Sequence, residues 1–160
     1  DFVRMQLVDS LIAFGQVYAS NTQKLNTLIV PFVKTIAEDS SWRVKYAVTE
    51  KIFELGQSLG KEINKKVLLP QFAKLLGDTQ TEIRTIAACK LANYAGLLDT
   101  EDIVGKIIPA IKPLSTDSEQ AVRAGLASSL LQLCPLVGKK YTNDQLLSIF
   151  LLLLRDEYAE

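Results

Sequence analysis

Pro31-Phe32-Val33-Lys34-Thr35-Ile36-Ala37-Glu38-Asp39-Ser40-Ser41-Trp42-Arg43-Val44-Lys45 joins two patterns of one kind. Before the polar Asp39-Ser40-Ser41 segment, Leu25, Leu28, Ile29, Phe32 and Ile36 keep the i, i+3, i+4 spacing of a single helix face. After it, Val44, Ala47, Val48, Ile52 and Leu55 keep the same period. The stretch therefore reads as a hairpin: helix A, a polar turn, helix B. A second polar stretch around Leu59-Gly60-Lys61 separates this hairpin from the next.

Working outward, the same unit recurs. Pro31, Pro70 and Pro109 stand 39 residues apart, and so do Asp39, Asp78, Asp117 and Asp156. Five residues after the first three aspartates come Val44, Ile83 and Val122, each followed by a base, Lys45, Arg84 or Arg123. The apolar columns Val48/Ala87/Leu126, Ile52/Leu91/Leu130, Leu55/Tyr94/Leu133, Ile29/Leu68/Ile107 and Ile36/Leu75/Leu114 share that register. With a two-residue offset, Val3, Arg4, Leu7, Leu11 and Phe14 match Val44, Lys45, Val48, Ile52 and Leu55, and Leu146, Phe150 and Leu153 continue the pattern at the other end. One hairpin cannot bury its own apolar face, whereas stacked hairpins bury a continuous core between neighbours. The expected fold is all-α: an α-α superhelix, a right-handed stack of antiparallel hairpins. Its boundaries are expected at 1–20 (helix B of a partial repeat), 21–60, 61–99, 100–138 and 139–160 (helix A of a partial repeat). Because both ends are half-units without a polar capping face, the sequence is expected to be an excerpt of a longer array. The in-register prolines predict a repeated bend in helix A. Ser148 in the fourth copy predicts a straighter helix there.

Composition bounds the function. The 160 residues carry 18 Lys+Arg against 18 Asp+Glu, and 48% are apolar, as in a folded domain. A net charge of zero lacks the basic footprint of a nucleic-acid binder. No histidine is present, which excludes His-dependent nucleophile systems and His-ligated metal sites. Cys89 and Cys134 are too few for a zinc site or a disulfide framework. They are expected to be buried core thiols in a reducing compartment, with the protein in the cytoplasm or nucleus. The most apolar run, Leu146 to Leu154, is far short of the roughly 20 residues of a membrane span. Gly56-Gln57-Ser58-Leu59-Gly60-Lys61 lacks the spacing and preceding strand of a phosphate loop. No catalytic residue, metal, cofactor, membrane or small-molecule substrate is expected.

Two readings attach to the Asp and base columns. Asp39, Asp78 and Asp117 precede helix B, where a carboxylate is favoured by the helix dipole. In the structural reading, Arg4, Lys45, Arg84 and Arg123 reach an aspartate of an adjacent unit as a charge ladder. In the other, the columns meet a partner directly. Trp42, the only tryptophan, either packs back on its own hairpin or anchors a partner beside Arg43, since Trp and Arg are enriched in hot spots. Lys65-Lys66 and Lys139-Lys140 are expected in unit-to-unit loops, as solvated charge or a weak anionic contact.

Pro, then Asp, then Val-Arg in a two-helix unit of this length resembles HEAT repeats. The string Ala37-Glu38-Asp39-Ser40-Ser41-Trp42-Arg43-Val44-Lys45-Tyr46 narrows it. With Asp1-Phe2-Val3-Arg4, Thr81-Glu82-Ile83-Arg84 and Leu133-Cys134-Pro135-Leu136-Val137-Gly138-Lys139, it is similar to the scaffolding A subunits of protein phosphatase 2A. That resemblance implies a non-catalytic horseshoe of HEAT repeats whose intra-repeat turns form one ridge. It implies a regulatory subunit docked on the ridge and a catalytic subunit held elsewhere along the full chain. Carried over by position, the implied ridge residues are Asp39, Ser40, Ser41, Trp42 and Arg43; Asp78, Thr79, Gln80, Thr81 and Glu82; and Asp117, Ser118, Glu119, Gln120 and Ala121. A HEAT-repeat nuclear-transport receptor, binding cargo and a small GTPase, is the alternative.

Overall fold

A computed structural model describes residues 1–156. The described residues form eight helices: α1 (Phe2–Val17), α2 (22–37), α3 (42–59), α4 (61–76), α5 (Thr81–Ala95), α6 (100–116), α7 (120–137) and α8 (139–153). Even-numbered helices are A helices and odd-numbered ones B helices. The B helices pack on one another as one layer and the A helices as a second, with each hairpin closing between them. This is an all-α solenoid. Residues 157–160, the end of the last predicted half-unit, lie outside the described residues.

The core follows the columns. Every residue of the five apolar columns is buried. Between B helices the backbones come close: a Cβ on Gly125 would sit 3.0 Å from the Cys89 sulfur and 3.2 Å from the Ala88 Cβ. Ser129 Oγ donates across that same contact to the Ala88 carbonyl at 2.7 Å. Gly60 and Gly138 occupy one position in hairpin-to-hairpin turns, with φ of 78° and 79°. This left-handed region is open to glycine at little cost. The apolar run through residues 120–153 is long enough by composition to cross a bilayer, but Gly138 turns the chain inside it, so it is two helices.

Each A helix contains one π turn, at Leu25–Ile29, Asn64–Leu68, Ile103–Ile107 and Thr142–Leu146. In each, an amide N–H bonds five residues back: Val30 to Leu25, Leu69 to Asn64, Ile108 to Ile103 and Leu147 to Thr142. Pro31, Pro70 and Pro109 follow directly, near the start of the next α-helical segment, where a missing N–H and a bulky ring are best tolerated. The fourth π turn forms ahead of Ser148. The π turn therefore does not depend on the proline, since it recurs in the copy that has Ser148 instead.

Other expectations also change. Cys89 is exposed and Cys134 only half-buried. Cys89 lies in the column of Glu50 and Ser128, on the solvent side of its helix. Lys65-Lys66 and Lys139-Lys140 are in the first two turns of α4 and α8, not in loops. Leu7 and Phe14, though in register with buried Val48 and Leu55, are exposed. With Leu28 and Phe32 they line an apolar groove of about 300 Å³ between α1 and α2.

Candidate partner-binding ridge

The A-to-B turns stack at one edge of the solenoid, and each is closed by its own aspartate. Asp39, Asp78 and Asp117 each accept a hydrogen bond at Oδ1 from the backbone N–H two residues on, from Ser41 at 2.8 Å, Gln80 at 2.9 Å and Glu119 at 3.0 Å. Those three donors are the residues at which the B helices begin, and none offers its own side chain as a cap. The carboxylate that meets each B-helix start thus comes from the turn, two residues before the helix.

The other side of each carboxylate takes a base from the preceding unit. Arg4 Nε lies 3.0 Å from Asp39, Lys45 Nζ pairs with Asp78, and Arg84 Nε lies 2.7 Å from Asp117. Arg123 Nε pairs with Asp156 and its Nη2 lies 3.0 Å from the same carboxylate. Arg84 places a second nitrogen on Asp117 at 3.0 Å. The arginines also hold their own turns: Arg84 Nη1 donates to the Asp78 carbonyl at 2.9 Å, and Arg123 Nη1 to the Asp117 carbonyl at 2.7 Å. The ladder runs between units, one rung per interface. Arg84 holds the Asp117 carboxyl below the usual carboxylate range, with help from the Glu119 N–H. Asp117 in turn raises the guanidinium.

This wiring decides what a partner can touch. The Asp39, Asp78 and Asp117 side chains retain only 8, 12 and 10% exposure. Saturated on both sides, they are a poor fit to the docking role their ridge position implies. Ser40, Arg43, Thr79, Gln80, Glu82, Ser118, Glu119, Gln120 and Ala121 are exposed, while Ser41, Trp42 and Thr81 are half-buried. Trp42 is the first residue of α3, and the Arg43 guanidinium lies over its ring at 4.7 Å. A cation over an indole face is electrostatically favourable and presets the pair as one flat, half-open surface. Ser41 Oγ is tied to Asp1 at 2.8 Å.

Several cross-unit contacts had no signal in the columns. Lys61 meets Asp99 at 2.7 Å and Lys65 meets Asp102 at 2.8 Å along the opposite edge. Glu38 accepts from Lys74 at 2.8 Å and from Gln71 at 3.0 Å, and both contacts lower its pKa. Inside the core, buried Tyr94 donates to buried Asn64 Oδ1 at 2.7 Å, its ring 4.6 Å from that of Phe72. Burial raises the Tyr94 pKa. The same two positions one unit away hold Leu25 and Leu55, or Ile103 and Leu133. A Tyr beside an Asn in a Leu/Ile column was the available clue. Among the described residues no group of acidic or cysteine side chains is placed to hold a metal.

Residues 61–138 match the family described as PPP2R1A-like HEAT repeat. Over those 78 residues, nearly half of its length, the chain is similar to that HEAT-repeat family. Over 108 residues, 65% of its length, the array is 38% identical to the beta isoform of the human (Homo sapiens) 65 kDa regulatory A subunit of serine/threonine-protein phosphatase 2A, and covers 18% of that relative. Over 120 residues, 73% of its length, it is 28% identical to the human serine/threonine-protein phosphatase 4 regulatory subunit 4, covering 14% of it. The array thus spans less than a fifth of either relative. In these HEAT units the Asp and base columns are first of all the joints between neighbours.

Proposed function

We propose that this array is a segment of a non-catalytic phosphatase scaffold, acting in the cytoplasm or nucleus, whose turn ridge receives a regulatory subunit. The catalytic subunit is held elsewhere along the same scaffold. Both named relatives are regulatory subunits of serine/threonine phosphatases, which supports the class of assembly. The observation that carries the reading is the Trp42–Arg43 pair: an aromatic and a guanidinium stacked at an open corner, beside carboxylates already neutralised by the ladder. Such a surface has little charge to desolvate and a large apolar face to bury. The scaffold's contribution is positional, holding two partners so that one is at high effective concentration for the other.

Trp42→Ala in the full-length chain tests it by calorimetric titration with a B-type regulatory subunit. The expected loss is at least about 2 kcal/mol, roughly thirty-fold in Kd, with the melting temperature unchanged. Wild-type affinity in that variant overturns the reading.

A further inference from the structure

Net neutrality hides an uneven distribution of charge. The A helices carry two lysines in α2, four in α4, two in α6 and two in α8, and no arginine. Against these stand one carboxylate in α4, two in α6, one in α8 and none in α2. The B layer differs. Its Arg4, Lys45, Arg84 and Arg123 are cancelled by the ladder aspartates. What remains there, Arg43, Lys51 and Lys90, faces Asp9, Glu50, Glu54 and Glu82. The A layer is therefore the basic side of the molecule.

Four of these ten lysines gather in one place, three of them in ion pairs: Lys61 with Asp99, Lys65 with Asp102 and Lys66 with Glu62. Lys61, Lys65, Lys66 and Lys106, with Glu62, Pro70 and Asp99, line an open cleft of about 620 Å³ between α4 and α6. The side chains of Lys61 and Lys66 are 68 and 74% exposed even with Asp99 and Glu62 beside them. Lys106 is exposed and faces the same space.

We propose that this cleft is a second docking surface, distinct from the ridge, for an acidic, extended peptide segment of a partner protein. Three properties of the lining select that ligand. Its bases are all lysines, compact point charges on flexible stems that suit carboxylates at varied positions, whereas the planar fork of arginine favours fixed bidentate sites. It has no aromatic side chain, so it offers no stacking platform for nucleotide bases. It has no large apolar side chain to insert below lipid headgroups. Glu62 and Asp99 already sit among the lysines at carboxylate distance. They show the contact an incoming acidic side chain reproduces as it displaces them.

The test uses the full-length chain and a fluorescein-labelled peptide of twelve residues, mostly glutamate, followed by fluorescence anisotropy at low and physiological salt. Binding is expected to be saturable and to weaken steeply with salt. It should weaken at least about ten-fold in Lys61→Glu/Lys66→Glu/Lys106→Glu, and no more than about two-fold in Lys34→Glu/Lys112→Glu, which alters the same layer away from the cleft. Circular dichroism melting checks that each variant folds; if the triple variant does not, Lys106→Glu alone is expected to weaken binding measurably. No binding by the wild type, equal loss in both variants, or stronger cleft-dependent binding of phosphatidylserine vesicles or single-stranded DNA than of the peptide overturns the proposal. Titrating the same variants with the B-type regulatory partner keeps the cleft separate from the ridge: the triple variant is expected to bind that partner normally.

Discussion

Two neighbouring joints of the ladder occupy the same columns and are built differently. At the joint between the second and third hairpins, Arg84 places two nitrogens on Asp117 and a third on the carbonyl of its own Asp78. One side chain thereby clamps its own turn and the next. At the joint before it, Lys45 has a single ammonium and spends it on Asp78. The helices behind them differ in the same sense. In α3, buried Thr49 donates to the Lys45 carbonyl at 2.8 Å, a back-bond that tends to bend helices. The α-helical geometry is interrupted at Lys51, with φ −99° and ψ 15°. In α5 the equivalent of Thr49 is Ala88 and the helix runs unbroken from Thr81 to Ala95. A periodic sequence thus gives periodic positions without equal stiffness, because the chemistry in each column still varies.

The sharpest way to break the comparison is Arg84→Ala. Asp117 would be left nearly buried without its paired guanidinium, and removing one partner of a buried pair costs about 3 kcal/mol or more. Arg84→Lys should cost less, about 1–2 kcal/mol, because it rebuilds the Lys45 arrangement and loses only the fork and the carbonyl bond. Urea denaturation of both variants checks the order. If Arg84→Lys is as damaging as Arg84→Ala, the fork is not what distinguishes the joints.

A smaller effect is expected from the core pair. Asn64→Leu strands the Tyr94 hydroxyl, at a cost of about 1–3 kcal/mol for an unsatisfied buried group. Combining it with Tyr94→Phe removes both polar partners, as in the adjacent units, and should return most of that loss. A double variant no better than the single one would mean that shape, not the hydrogen bond, sets this site.

The smallest effect is in pH. The folded-state pKa of Asp117 is depressed. Its contribution is therefore complete above the ordinary carboxylate range and is lost as pH falls through the lowered value. The gap in Tm between wild type and Asp117→Asn should be widest near neutrality and close on acidification through that window. A gap that stays constant down to strongly acid pH would remove charge from the account of this joint.

Much of the fold was legible because burial repeats. A helix face that must be covered once per 39 residues leaves apolar residues at a fixed spacing. Cys89 shows the limit: Ala87, Ala88 and Leu91 around it are buried, yet it falls on the solvent side of α5. Trp42 shows another: it is half-buried with the Arg43 guanidinium over its ring, a state that the sequence left open. The ridge could be located from the turn residues, but not which of them face outward. Asp39, Asp78 and Asp117 are turned inward by contacts with other units, while Glu82 and Glu119 beside them are not.

By itself the sequence determined the period, the hairpin, the all-helical class and the membership of each buried column, since all of these follow from local spacing and the need to hide apolar surface. The tertiary structure decided how the units are joined. Lys45, Arg84 and Arg123 each had an aspartate six residues away in its own turn and another 33 residues away in the next. Only the rotation of one hairpin on its neighbour selects the second. That rotation depends on close contacts such as Gly125 against Ala88 and on the π turns that set where each A helix points, and none of these leaves a periodic mark in composition.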